Sequence, residues 1–429
     1  MALPSPSPVG RLRWVVGGAL AVITAINYLD RQTLPVVIGE IQKDIPISNA
    51  AFSELQALFL LAYAVMYAGG GRLVDLVGTR AGYAAVAGLW SVACMLHAAA
   101  HSVLGLGAAR FFLGLGEGGG FPASAKAVAE WFPARERSLA VGLFNTGSAV
   151  GAVIAPPLIA AIVLRWNWRA VFLLTGASGV VWALLWGWLY EPASTNRALG
   201  AAERRYLLDS GVGHHDPAPR VKWLDLLKIR AVWTLLVVKF LTDGAWFFFI
   251  FWLPKYLGDA RGFKMAAIGS YAWIPYAFAG LGSFAGGWLS AFLIRRGVSL
   301  NASRKIALAV SAALLPLSLL VVHSPIEWSI LFVSMAFLGH QFWSVIVQTL
   351  PTDLFPARAV GSVAGLIGCA GSFGAMLFNL LVGVLLDSFG SYALPFLLAG
   401  IMHPIAFVIV MVTLKRIEPV LLGGSGRAV

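Results

Sequence analysis

Apolar residues along this chain run in blocks of about twenty, separated by short polar or glycine-rich joints, with little of the one-face alternation that marks a helix half immersed in water. A hydrocarbon layer of about 30 Å takes roughly 20 apolar residues as a helix. By that ruler the pattern predicts twelve spans, near residues 14–37, 52–73, 80–100, 102–124, 138–163, 168–190, 231–254, 267–293, 303–322, 327–349, 360–386 and 391–414. The first span is too long for a signal peptide and lacks a small-residue cleavage site, so it is expected to be retained. The preceding MALPSPSP reads as a short disordered leader. The predicted class is an all-α membrane protein.

Composition agrees. Of the 429 residues, 59% are hydrophobic and only 12% charged, more apolar surface than a soluble domain needs. The net charge of +12 raises the possibility of a polyanionic partner, but its placement argues otherwise. With the N-terminus in the cytoplasm, 22 of the 31 Lys and Arg fall in inner loops, tails and span edges, 6 fall on the outer side, and 3 lie within spans. That asymmetry is the positive-inside pattern, so the charge reports topology and no nucleic-acid partner is expected. Cys94 and Cys369 stand alone in separate spans, which indicates neither a disulfide framework nor a metal cluster.

The chain also repeats itself. EWFPARERSLAVGLFNTGSAVG from Glu130 and DLFPARAVGSVAGLIGCAGSFG from Asp353 align without gaps at an offset of 223 residues. Gly142 then meets Gly365, Gly151 meets Gly374, Gly116 meets Gly339, and Glu117 meets His340. A duplicated six-helix unit follows. The expected organisation is a cytoplasmic leader over 1–13, a six-helix bundle over 14–190, a charged cytoplasmic linker over 191–230, a second bundle over 231–414 and a cytoplasmic tail over 415–429. His214 and His215 in the linker lack the further ligands a metal site needs, so no metal is expected.

Several stretches carry a resemblance. GGGRLVDLVGTR after the second span gives GxLxDxxG at Gly71, Leu73, Asp75 and Gly78, while GGWLSAFLIRRG in the second half has Ala291 at the Asp position. The first resembles the signature loop of the major facilitator superfamily, which implies a role for Asp75 in the conformational switch. INYLDRQTL in the first span, ARFFLGLGEGGGFPASAKAVAEWFPARERS around the fourth and GLFNTGSAVGAVIAPPL in the fifth are similar to the anion:cation symporters of that superfamily. Within it they look most like the bacterial hexuronate transporters, and KFLTDGAWFFFIFWLPKYL and GHQFWS fit the same group. The resemblance covers nearly the whole chain. It implies twelve transmembrane helices in two bundles around a central site opening alternately to each side. It further implies that Asp30, Arg31 and Glu117 handle protons and the substrate carboxylate.

The residues can be weighed beside it. A charge at mid-membrane costs about 3 kcal/mol on insertion scales and faces a cavity or a partner. Arg110 and Glu117 are seven apart, on one face of a helix and roughly 10 Å apart along its axis, too far for a direct pair. Each therefore needs another partner. An acid in a water-poor cavity suits reversible protonation, so Glu117 is expected to be a proton site; for Arg110, structural pairing and substrate contact both stand open. Asp30 and Arg31 point about 100° apart on a helix. The planar guanidinium of Arg31 suits a carboxylate, and Asp30 is expected to couple protons or to hold Arg31 or Arg110 in place. Lys239 and Asp243 have the spacing of an i,i+4 pair, although the resemblance places a basic residue here against the substrate. His340, Ser344 and Gln348 form a polar stripe at steps of four. Tyr28, Tyr63, Asn145 and Trp246 are candidate companions for a sugar face, and Tyr67 stands where similar transporters often carry Gln.

Two further patterns are set aside. Gly114, Gly116 and Gly119 spell GxGxxG, but inside a membrane helix with Glu117 at its centre they read as packing positions. Asn301-Ala302-Ser303 spells a glycosylation acceptor on the cytoplasmic side. No nucleophile–base pair, HExxH or aspartyl pair lies in the spans, so no enzyme, catalytic residue or cofactor is expected. The expected function is proton-coupled import of an organic anion, foremost a hexuronate such as glucuronate or galacturonate, by a monomer in the lipid of a bacterial inner membrane. Galactonate, an aromatic or a dicarboxylic acid is the alternative substrate. A membrane sensor is the alternative class, disfavoured because the 40-residue linker is too small for an output domain.

Overall fold

The computed structural model describes residues 10–210, 212 and 223–420. Among them there is no strand. The helices are α1 (Leu12–Ile41), α2 (Asn49–Val77), α3 (Thr79–Leu96), α4 (Val103–Trp131), α5 (Ala134–Arg165), α6 (Trp168–Leu189), α7 (Ala201–Asp209), α8 (Trp223–Leu226), α9 (Arg230–Asp259), α10 (Met265–Tyr271), α11 (Trp273–Arg295), α12 (Leu300–Leu314), α13 (Ile326–Leu354), α14 (Ala357–Phe389) and α15 (Ala393–Thr413). His214 and His215 lie outside the described residues.

Eleven spans in the described residues are long and apolar enough to cross a membrane. The long helix outside that set is α4, which carries Arg110, Glu117, Lys126 and Glu130 along its length. Most helices overrun the predicted spans, because backbone hydrogen bonding continues past the point where charged side chains begin. Ser48, Ser102 and Asn167 accept from backbone N–H groups at the starts of α2, α4 and α6 and so cap them. The eighth span is broken at Ala272 into α10 and α11, and the ninth tightens into a 3-10 turn over Leu315–Leu320, where Pro316 has no N–H to give. Leu104, Trp188, Phe284 and Phe389 are exposed on the outside, as suits helices whose solvent is lipid.

The duplication is visible in the packing. In the first half α1 packs on α5, α2 on α4 and α3 on α6; in the second α9 packs on α14, α11 on α13 and α12 on α15. Gly151 of α5 lies against the Ala25 carbonyl of α1, and its repeat partner Gly374 lies against the Phe240 carbonyl of α9. Gly142 and Gly365 both border open space.

Between the halves the linker is partly docked. Glu203 of α7 is buried and accepts from the backbone N–H groups of Leu12 and Arg13 (3.1 and 3.3 Å), capping α1, while Arg13 bridges Glu203 and Glu136 at 2.8 Å each.

The halves meet at the end where α1 stops and α2 begins. Asp387 of α14 accepts from Asn49 N, Asn49 Nδ2 and Ala50 N at 3.3, 2.9 and 2.8 Å. Beside it Gly383 lies against Ser53, Phe52 meets Trp252 edge-on at 4.9 Å, and Gly269 lies against Ala160. Deeper in, Phe59 meets Phe251 at 6.1 Å and Gly368 lies against the Tyr67 ring.

Candidate functional site

The glycines of α4 decide how its charges are placed. A Cβ on Gly118 would stand 2.6 Å from the Tyr63 carbonyl oxygen, one on Gly116 would stand 2.5 Å from Trp90 Cβ, and Gly114 lies against the Phe59 carbonyl. Small residues thus let α4 sit almost backbone to backbone against α2 and α3. That close packing sets Arg110 and Glu117, 0% and 2% exposed, facing α1 and α2.

Arg31 is the hub. Its Nε donates to Glu117 Oε2 at 2.9 Å and its Nη2 to Asn27 Oδ1 at 3.1 Å, leaving Nη1 outside both bonds. The guanidinium lies 4.8 Å from the Tyr28 ring centroid and 5.0 Å from that of Tyr63, so two aromatic faces fix its plane. Glu117 Oε1 is buried without a partner among the described residues.

Among the described residues Arg110 is not paired with an acid. Its Nη2 donates to Gln56 Oε1 at 2.7 Å and to the Arg31 carbonyl at 3.2 Å, its guanidinium lies 4.7 Å from Phe59 and 5.6 Å from Phe251 of the other half, and Nε and Nη1 have no partner among the described residues. Asp30 departs from one expectation: it does not hold either arginine. It is turned toward α3 and α6, accepts from the Cys94 thiol at 3.5 Å, and Cys94 in turn meets Thr175 at the same distance. The 100° between successive helical residues is the reason, since Arg31 facing the cavity sends Asp30 into the bundle.

A cavity of about 470 Å³, open solvent at its mouth included, lies over this group. Tyr28, Arg31, Tyr63, Glu117 and Asn145 line it, together with Thr24, Asn27, Phe121, Ser124 and Ser148. Every lining residue belongs to the first half. Of the missed residues, Asn27 was readable, four positions before Arg31 on one helix face, and Ser148 follows Asn145 by three. Gln56, Cys94 and Thr175 carry no signal of their own.

The second-half candidates lie outside that lining. Lys239 donates to Asp243 at 2.8 Å, the expected i,i+4 pair. Gln348 donates to Ser344 at 2.8 Å along the polar stripe. His340 stacks on Trp246 with centroids 4.6 Å apart and planes 6° apart, and its Nδ1 lies 3.0 Å from Nε2 of His403, a residue of α15 that sequence reasoning missed.

At the far end of the first half, Lys126 bridges Asp75 at 3.1 Å and the Val74 carbonyl at 2.9 Å, and Gly78 takes the left-handed φ of 88° that lets α2 turn into α3. In the second half, where Ala291 removes the acid, Arg304 instead bridges Asp353 and Ser290 at 2.8 Å each.

The Major Facilitator Superfamily model matches residues 20–379. The hexuronate transporter of Escherichia coli strain K12 is 34% identical over 384 residues, 88% of this chain and 89% of its own. The galacturonate transporter of Dickeya chrysanthemi is 36% identical over 307 residues, 71% and 89%. A bacterial homolog of the human lysosomal transporter Spinster, solved inward-facing and unoccupied, shares the fold at a TM-score of 0.75 and 19% identity, over 95% of this chain and 99% of that one. These relatives are transporters and not enzymes. With its paired halves of packed helices and a charged cavity between α1, α2, α4 and α5, this chain belongs to the major facilitator superfamily.

Proposed function

We propose that this chain is a proton-coupled symporter that imports a sugar acid, foremost a hexuronate, by alternating access. The observation that carries the reading is the buried Arg31–Glu117 pair at a cavity lined by Tyr28, Tyr63 and Asn145. Arg31 offers Nη1 to a carboxylate while Glu117 competes for the same cation. When Glu117 takes up a proton it gives up that competition, and the substrate carboxylate completes the guanidinium fork. Loss of the proton on the inner side restores the pair and displaces the substrate. Asp30 is the second proton site in this scheme, and Lys239, Trp246, His340, Ser344 and Gln348 meet the sugar when the second bundle closes on the first. The similarity to hexuronate and galacturonate transporters supports the substrate class.

With both termini in the cytoplasm of a bacterial cell, the end sealed by Asp387, Phe52 and Trp252 is the outer one, and the form described is inward-facing. Residues 14–190 and 231–414 then rock as two bundles about the site, within the lipid of the inner membrane and as a monomer.

The test is uptake into liposomes. Wild type accumulates glucuronate or galacturonate when a proton gradient is imposed, faster as the outer pH falls, with galactonate as the comparison acid. Glu117→Gln retains exchange of labelled for unlabelled substrate but loses accumulation; gradient-driven accumulation by Glu117→Gln removes Glu117 from the proton path.

A further inference from the structure

We infer that His403 is a positioning residue that fixes the tautomer of His340, making it a hydrogen-bond donor to the oxygens of the sugar acid. The inference rests on the proposed reading that His340 faces substrate. Both rings are buried, 2% and 0% exposed, and they join through His340 Nδ1 and His403 Nε2 at 3.0 Å with planes 82° apart. A hydrogen bond between two imidazole nitrogens needs one hydrogen, so one ring donates and the other accepts.

The far nitrogen of His403 decides which. His403 Nδ1 is buried and has no partner among the described residues, with Trp343 edge-on to the ring at 5.5 Å. Suppose His340 Nδ1–H donated: the hydrogen of neutral His403 would then sit on Nδ1 as an orphaned buried donor. A doubly protonated His403 would strand the same N–H. In the third arrangement His403 Nε2–H donates and Nδ1 carries only a lone pair. Buried unpaired N–H groups are rarer and costlier than under-used acceptors, which selects this arrangement.

The consequence falls on His340. Its Nδ1 accepts, so its hydrogen is on Nε2, the nitrogen not engaged by His403, and the stacked Trp246 ring holds the imidazole plane. The second half thus presents a fixed donor complementary to hydroxyl or carboxylate oxygens. A site built around such a donor discriminates against ligands lacking the acceptor.

Side-chain ¹⁵N NMR of histidine-labelled wild type, with His340 assigned by its loss in His340→Asn, reads the tautomer without any transport. Protonated Nε2 and bare Nδ1 on His340 are expected, and protonated Nδ1 overturns the inference. Kinetics supply the second arm. His403→Phe removes the donor and is expected to raise the KM for hexuronate uptake about tenfold, the scale of one lost hydrogen bond, with kcat within about twofold. His403→Gln places an amide N–H near the former Nε2 and is expected to recover most of that loss. Equal impairment of both variants, or a wild-type KM in both, overturns the positioning role. Failure of wild type to accumulate any hexuronate refutes the transport reading, while the NMR result still decides the tautomer.

Discussion

Arg31 carries more of the site than any other residue, because it joins an acid, an amide and two aromatic rings. Lysine keeps the charge but has neither the fork nor the flat face. Arg31→Lys is therefore expected to lower substrate affinity by about tenfold or more, as for loss of a charge-assisted bond, in a titration of purified protein with glucuronate; unchanged affinity would take the substrate carboxylate away from Arg31. Sequence reading found Arg31, Glu117 and Arg110 because a charge inside an apolar span is conspicuous. It missed what they bind. The Arg31–Glu117 pair crosses from α1 to α4, and Arg110 ends on Gln56 of α2, so neither pairing follows from spacing along one helix. Gln56, Cys94 and His403 were illegible for a simpler reason: an uncharged polar group in an apolar span looks the same whether it bonds to its own helix or holds a functional residue.

Helix α4 has glycines that the sequence marks as packing positions without showing what they pack against. Its glycines suggest a nucleotide fingerprint by spacing, yet they lie where α4 presses on the carbonyls of α2 and the backbone of α3. Gly118→Val would force its side chain onto Tyr63 and Met66, an overpacking cost of about 1–3 kcal/mol. In Gly142→Val the added Cβ meets nothing within 4 Å. Thermal unfolding in detergent is expected to show a lowered midpoint for the first and little change for the second; equal midpoints would remove close packing as the reason for Gly118. The apolar pattern was blind to the break at Ala272 and the tight turn at Leu315–Leu320, because membrane burial rewards apolar residues whatever the local helix type. Nor could it show that α7 sends Glu203 to cap α1, a contact set by how the linker folds back.

Over the whole molecule, the proposed alternating-access cycle has its balance between two open forms set by what only one of them can make. In the inward-facing assignment proposed above, the outer seal includes Asp387, a residue of one half capping the first turn of α2 in the other, and Gly383, whose missing side chain lets α14 settle on Ser53 and Asn49. A charged cap contributes about 1 kcal/mol, so Asp387→Ala is expected to shift the population toward the outward-open form by about fivefold. Gly383→Leu should act more strongly, since its side chain would have to occupy the place of Ser53. The readout is a cysteine at Gly365, which borders open space on the proposed inner side, in a Cys369→Ala background. A membrane-impermeant maleimide supplied from the inner side should modify Gly365→Cys quickly in the otherwise native chain, more slowly with Asp387→Ala and slowest with Gly383→Leu, because opening the outer end closes the inner one when the halves move as rigid bodies. If all three are modified at one rate, the outer contacts do not govern the switch, and the Lys126–Asp75 and Arg304–Asp353 bridges at the opposite end become the elements that set it.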